Sequence, residues 1–102
     1  MLTFLGMTSL GYFDAERLVE LKKRLDLCLK SGDAEGVNSV IRICKRIETT
    51  KEHIKQSHLG KILFQVAKDW RQSDQGELKE ASKFVRTLID DWKVKYYGKS
   101  DQ

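Results

Sequence analysis

Apolar side chains recur every three to four positions along most of the chain, a spacing that places them on one face of an α-helix. The repeat predicts five helices, at about 14–30, 34–47, 50–56, 58–71 and 77–97. The residues expected to face the core are Leu18, Leu21, Leu25, Cys28, Val37, Val40, Ile41, Cys44, Ile47, Ile54, Leu59, Ile62, Leu63, Val66, Ala67, Trp70, Leu78, Ala81, Phe84, Leu88, Ile89, Trp92 and Tyr96. Amphipathic helices joined by short loops bury such faces together, so we expect an all-α fold, a compact bundle of four to five helices.

Residues that begin and end helices stand at several of these boundaries. Asp14 and Asp33 precede the first two helices, where an aspartate accepts a hydrogen bond from an unpaired backbone N–H. Gly32 and Gly98 follow predicted helices, where glycine adopts the left-handed backbone that ends a helix. The sequence contains no proline, so no proline interrupts a helix.

The middle of the chain carries further boundary signals. Thr49 is followed three residues later by Glu52, and this capping-box pattern predicts the start of the short third helix. Ser57 is the candidate cap of the fourth helix. Gly60 lies in the first turn of that helix. Because glycine destabilises a helix, its presence predicts a close crossing with another helix.

A length of 102 residues corresponds to one domain. We place the bundle at residues 14–98 and expect residues 99–102 to form a disordered tail. Residues 1–13 are uncharged and rather apolar, and they either pack on the bundle or are a remnant of a domain boundary. They lack the basic start and the cleavage site of a secretory signal. No apolar run approaches the length of a membrane span, so we expect no membrane association.

The composition is that of a globular protein with a mildly basic surface. Apolar residues make up 40% and charged residues 33%, which argues against disorder. The net charge of +4 is compatible with nucleic acid or with acidic protein partners. The densest basic run is 22–24, but acidic residues alternate with basic ones elsewhere, which predicts a mixed surface rather than a phosphate-binding face.

Cys28 and Cys44 fall within apolar helical patterns, so we interpret both as buried thiols that act as small hydrophobic residues. A disulfide or a metal pair is the minority interpretation, because the sequence has no CxxC and no histidine at zinc-finger spacing. A reducing compartment fits this cysteine usage best. We expect no metal and no cofactor.

No catalytic motif is present, and we expect the protein not to be an enzyme. Phosphate-binding glycine loops, HExxH and GxSxG are all missing from the sequence. Asp90 and Asp91 are adjacent, but neighbouring helical positions diverge by about 100° around the axis, so they do not act as a pair. For His53 and His58 a surface or capping role is favoured over that of a general base.

Trp70 has two interpretations. It ends the apolar stripe of the fourth helix just before a polar loop, between the basic residues Lys68 and Arg71. It is either a core residue that closes the bundle or a partly exposed aromatic at the rim of the loop. Exposed aromatics of that kind anchor protein interfaces because they bury a large area at a small entropic cost.

Two segments resemble the N-terminal domain of the transcription elongation factor TFIIS, also called the LW domain. IRICKRIETTKEHIKQSHLGKILFQVAK (41–68) contains the threonine-led short helix and a step similar to Thr-x-Ile-Gly-Lys, with Ser57 and Leu59 as replacements and Gly60 retained. VRTLIDDWK (85–93) contains the Leu-then-Trp pattern at Leu88 and Trp92. The resemblance covers about residues 16–97 and extends to elongin A, a Mediator subunit and integrase-binding domains.

The resemblance implies a right-handed helical bundle that docks short disordered motifs carrying acidic residues and a bulky hydrophobe. It places the protein in the nucleus, with transcription or chromatin proteins as partners, and we expect a monomer. By position, the two binding loops of the integrase-binding relative correspond to Lys30, Ser31, Gly32 and Asp33 and to Trp70, Arg71, Gln72 and Ser73. Independently of the family, Lys30, Lys68 and Arg71 would attract the acidic flank of a motif. The resemblance also makes Leu59, Gly60, Leu88 and Trp92 core positions of the family pattern.

The leading hypothesis from sequence is therefore a protein-docking module of the transcription elongation machinery. The alternative is a basic helical module that binds nucleic acid directly, motivated by the net charge and by the basic run at 22–24.

Overall fold

Five helices and one short strand pair make up the computed structural model, which describes residues 10–98. The elements are β1 (Gly11–Tyr12), α1 (Ala15–Ser31), α2 (Ala34–Cys44), β2 (Ile47–Glu48), α3 (Lys51–Ser57), α4 (Leu59–Arg71) and α5 (Gly76–Tyr97). The predicted all-α bundle is confirmed. The predicted tail 99–102 and residues 1–9 of the N-terminal extension lie outside the described residues.

The predicted caps of the first two helices are confirmed. The Asp14 carboxylate accepts a hydrogen bond from the Arg17 amide at 3.1 Å, and the Asp33 carboxylate accepts one from the Gly36 amide at 2.9 Å. Gly32 follows α1 with φ of 70°, in the left-handed region that favours glycine.

The second helix ends earlier than predicted, at Cys44 rather than Ile47. The reason is pairing with the N-terminal segment: β1 and β2 form a parallel pair, in which Gly11 lies opposite Ile47. The Phe13 amide continues this ladder by donating to the Glu48 carbonyl at 2.7 Å. Ile47 is buried as its place in the apolar pattern predicts, but extended backbone rather than a helical turn brings it to the core.

The predicted capping box at Thr49 and Glu52 is wrong. The side chain that caps α3 belongs to Thr50, whose hydroxyl oxygen accepts from the His53 amide at 3.2 Å. The Thr49 hydroxyl instead donates to the Phe13 carbonyl at 2.7 Å and is buried there. Residues 10–13 of the predicted extension therefore pack on the bundle, since Phe13 also lies against the core.

Ser57 joins α3 to α4. Its hydroxyl donates to the Ile54 carbonyl at 3.0 Å and accepts from the amide of Leu59, the first residue of α4, at 3.2 Å. The predicted capping contact is thus present, although α4 begins one residue later than expected. His58 between them has φ of 61°, a left-handed backbone that turns the chain sharply from one helix to the next.

The core is continuous and draws on every helix. Its buried apolar residues are Leu18, Leu21, Leu25, Ala34, Val37, Val40, Ile41, Cys44, Ile47, Ile54, Leu59, Ile62, Leu63, Val66, Ala67, Trp70, Ala81, Val85, Leu88, Ile89 and Trp92. The longest shared interface lies between the antiparallel helices α4 and α5, and α1 packs against α2, α3 and α4. The Ser82 hydroxyl donates to the Ala67 carbonyl at 3.2 Å and ties α5 to α4.

Candidate functional site: an aromatic groove on helices 3, 4 and 5

The two loops that the sequence predicted as a binding surface do lie at one end of the bundle. A depression of about 520 Å³ joins the first loop to the start of α5. We call it the acidic depression, and its lining residues are Gly32, Asp33, Ala34, Glu35, Asn38, Gly76, Glu77 and Glu80. Of the predicted loop residues, Gly32 and Asp33 line it, whereas Lys30, Ser31, Arg71 and Gln72 are exposed outside the lining and Ser73 is half-buried.

Trp70 is a core residue, and its interpretation as an exposed interface anchor is wrong. Only 5% of its surface is exposed, because the last turn of α4 points the indole into the bundle in line with Val66 and Ala67. A partner peptide at the loops therefore cannot use this ring without unpacking the core.

The charge at the loop end also opposes the predicted ligand. Asp33, Glu35, Glu77 and Glu80 contribute four carboxylates to the acidic depression, whose lining contains no basic side chain among the described residues. Lys30 is paired with Asp26 at 3.6 Å on α1. Lys68 and Arg71 are exposed on α4, outside the lining. Like charges repel, so an acidic motif is disfavoured in this depression.

A different surface has the composition of a docking site. We call it the aromatic groove; it holds about 260 Å³ and is lined by Ile54, Gly60, Leu63, Phe64, Ile89, Trp92, Lys93 and Tyr97. It is built where the α3–α4 corner meets the last turns of α5. A cavity of about 150 Å³ accommodates a benzene ring, so the groove is large enough for one bulky apolar side chain.

Exposed aromatic rings form part of the groove. Phe64 is 51% exposed and Tyr97 is 38% exposed, although both are large apolar-bodied side chains. Trp92 and Ile89 lie beneath them in the core. Trp92 and Leu88 are both buried, as the Leu-then-Trp pattern predicted. A contiguous apolar surface of this kind on a small domain marks an interaction site more often than isolated exposed residues do.

Lysines accompany both exposed rings. The Lys93 ammonium lies 6.0 Å from the centroid of the Phe64 ring, and the Lys51 ammonium lies 5.4 Å from that of Tyr97. Within the described residues the groove lining contains a lysine and no carboxylate. The groove thus presents apolar rings beside positive charge.

Gly60 does not mark the close helix crossing that the sequence predicted. A Cβ atom added at this position meets only the Ile54 Cγ2 atom, at 3.9 Å, which is ordinary van der Waals contact. Leu59, next to it, is fully buried as the family pattern implies, whereas Gly60 is half-buried and lines the groove.

The sequence contains one feature that indicates this site, although the apolar stripe of α4 does not include it. Phe64 falls outside the apolar stripe of α4, and Gly60 lies one turn before it on the same face. A large aromatic outside the stripe, with a glycine beside it, identifies a helix face that is apolar but not packed. Tyr97 could not be identified from the helical pattern, because the apolar stripe of α5 ends at Tyr96.

The cysteines are free thiols in the structure. Cys44 is buried as predicted, and burial raises its pKa to about 12. Cys28 is only half-buried; partial burial and then the neighbouring Asp33 carboxylate raise its pKa. The Cys28 Sγ atom lies 3.9 Å from Asp33 Oδ2. Raised pKa values keep both sulfurs in the less reactive thiol form at neutral pH.

Within residues 10–98 no three histidine, cysteine or carboxylate side chains are grouped so that they would hold a metal ion. The helices described in that same range are too short or too polar to cross a membrane.

Fold and surface together define the class: a small all-α bundle whose distinctive surface feature is an open, lysine-bordered aromatic groove. No protein-family model, no curated protein and no solved structure matches the chain significantly. The resemblance of residues 41–68 and 85–93 to the TFIIS N-terminal domain therefore stays a prediction from sequence.

Proposed function

We propose that this protein is a docking module that binds short disordered segments of other proteins, each carrying a bulky hydrophobe and acidic residues. The observation that carries the proposal is the aromatic groove, where exposed Phe64 and Tyr97 lie beside Lys93 and Lys51. Aromatic rings supply most of the binding energy in such interfaces, and the lysines complement acidic residues.

The size of the groove sets the expected strength of binding. One side chain fills it, and a disordered segment loses conformational entropy when it becomes ordered on the surface. Affinities in the micromolar range follow from this balance. Such binding suits reversible recruitment by a monomeric adaptor rather than a permanent complex.

The resemblance of residues 41–68 and 85–93 to the TFIIS N-terminal domain supports a place in the transcription elongation machinery, with nuclear proteins as partners. The helical bundle and its buried Leu88 and Trp92 agree with that resemblance. The proposed binding surface departs from it, because the depression at the loop end is lined by carboxylates and Trp70 is buried.

A peptide-display selection tests the docking function. Random 16-residue peptides are selected on the immobilised full chain, and enriched peptides are measured in solution by fluorescence anisotropy. We expect enriched sequences that combine an aromatic or large aliphatic residue with several aspartates or glutamates. If no peptide is enriched more strongly on this chain than on an unrelated helical domain, the proposal is refuted.

The nucleic-acid alternative predicts a different result. DNA or RNA binding weakens steeply as salt rises, in proportion to the phosphates contacted. The Lys23 member of the basic run lies 4.0 Å from the Glu20 carboxylate, which reduces the charge available to phosphates. A titration with a 20-base-pair duplex and a 20-base RNA at low salt separates the alternatives, and we expect no specific binding.

A further inference from the structure

Gly60 occupies a position where neither backbone geometry nor packing calls for glycine. Its backbone is not in the left-handed region, and an added Cβ atom would meet only Ile54 Cγ2, at 3.9 Å. Glycine within a helix is less favourable than alanine, because its backbone loses more conformational freedom on folding. Folding alone therefore does not explain why position 60 is glycine rather than alanine.

The aromatic groove supplies such a reason. Gly60 lines the groove, and one turn further along α4 lies the exposed ring of Phe64. A side chain at position 60 would project beside Ile54, another lining residue, and would take space from the groove. The glycine keeps this space open.

We infer that the groove is the docking site itself: it receives a single aromatic side chain of a partner peptide whose neighbouring residues are acidic, and Gly60 keeps open the space for that ring. The inference rests on the proposed docking function. It replaces the loop surface predicted from sequence with a surface formed by α3, α4 and α5, and it assigns Gly60 a role in ligand selection.

The positive charge beside the groove favours an external acidic peptide over two other occupants, a second copy of the chain and the chain's own residues 1–9. In a symmetric pair of copies the same lysine-bordered groove would lie on both sides of the interface, and its lining offers no carboxylate to neutralise the positive charge, which is unfavourable. Residues 1–9 of the chain contain no acidic residue to pair with those lysines. An external acidic and aromatic segment satisfies both the apolar surface and the positive charge.

The experiment uses two substitutions at each of two glycines. Gly60→Ala and Gly60→Leu add a small and a large side chain to the groove. Gly76→Ala and Gly76→Leu are the matched controls, because Gly76 begins α5 at the acidic depression and an added Cβ there meets no atom within 4 Å. The probe is the peptide most strongly enriched in the display selection, measured by anisotropy with each folded variant.

We expect Gly60→Ala to melt at the same or a higher temperature than the unsubstituted chain, yet to bind the probe about threefold or more weakly. Gly60→Leu should bind at least about tenfold more weakly, and both Gly76 variants should bind normally. Phe64→Ala gives an independent test, since it removes one ring from the groove instead of filling it.

Unchanged affinity in Gly60→Leu and Phe64→Ala would overturn the inference while leaving the docking function intact at another surface. Enriched peptides without an aromatic residue, or without acidic residues, would overturn the assigned occupant. A dimer of the unsubstituted chain that Gly60→Leu converts to a monomer, seen by light scattering, would show that a second copy fills the groove. Absence of any enriched peptide would remove the docking function and this inference together.

Discussion

The Lys93 ammonium lies 6.0 Å from the centroid of the Phe64 ring, so a cation of α5 stands over an exposed aromatic of α4. Neither residue belongs to the buried stripe of its helix. Their contact brings positive charge to an apolar surface without burying the charge, which avoids the desolvation cost of a buried ammonium. It also makes the groove testable by charge reversal.

Lys51→Glu and Lys93→Glu should each weaken binding of an acidic peptide about threefold to tenfold, because attraction is replaced by repulsion beside the groove. Lys68→Glu is the control, since Lys68, like Lys93, is exposed but lies toward the loop end of α4. Anisotropy titrations at low and moderate salt measure the effect. Stronger weakening by Lys68→Glu than by Lys93→Glu would favour the loop surface originally predicted.

Trp70→Ala should destabilise the fold by about 3–5 kcal/mol, because it removes a buried indole from the core. Phe64→Ala should cost about 1 kcal/mol or less, since half of that ring is already in water. Urea unfolding followed by circular dichroism compares the two variants. Equal losses of stability would contradict the assignment of Trp70 to the core and Phe64 to the surface.

The two thiols should react at very different rates with a disulfide reagent such as dithionitrobenzoate. The half-buried Cys28 should react in the native state, though more slowly than a free thiol because its pKa is raised. Cys44 should react only when the protein unfolds, since it is buried with a pKa of about 12. Rapid labelling of two thiols in native protein would contradict this order.

Burial of Cys44 also predicts a loss of stability at alkaline pH. Its pKa rises from an ordinary value of 9.0 to about 12 in the folded state, so the unfolded chain loses this proton first. The contribution to stability is complete below pH 9 and decreases between pH 9 and about 12, by up to about 4 kcal/mol. Urea titrations should show a shallower alkaline decline in Cys44→Ala, which lacks the titrating group.

Thr49→Val should loosen the N-terminal strand. Valine has nearly the shape of threonine but removes the hydroxyl that donates to the Phe13 carbonyl at 2.7 Å, at a cost of about 1–2 kcal/mol. Amide hydrogen exchange should speed up most at Phe13, whose N–H donates to the Glu48 carbonyl. Thr49→Ser retains the hydroxyl and should preserve protection; equal exchange in both variants would count against this role for Thr49.

The helices could be predicted from sequence because the capping residues and the apolar periodicity indicate the same segments. Asp14, Asp33 and Gly32 begin or end helices as their chemistry dictates. The predicted stripes of α1 and α2 match the buried residues, apart from the half-buried Cys28. The predictions for residues 47–50 were wrong, because pairing with the distant N-terminal strand makes the backbone there extended rather than helical. Ile47 fits a helical period equally well, and only its pairing with Gly11 makes it extended.

The candidate site was less predictable, since exposure depends on how helices pack. Trp70 and Phe64 both lie on α4, and from sequence Trp70 fitted both the core and an exposed rim, because it ends the apolar stripe and adjoins a loop with basic neighbours. The carboxylates of the acidic depression come from the starts of α2 and α5, which are far apart in sequence. These carboxylates form one acidic surface only because the two helix starts lie side by side in the folded protein.

The separation of the acidic depression from the lysines near the aromatic groove has a consequence for how ligands approach. Gly76 and Lys93 stand at opposite ends of α5, about 25 Å apart at 1.5 Å per residue. Carboxylates line the depression at one end of α5 and lysines border the groove near the other, so an incoming anionic chain is repelled by the first surface and attracted by the second. Encounters should be steered accordingly, and faster at low ionic strength.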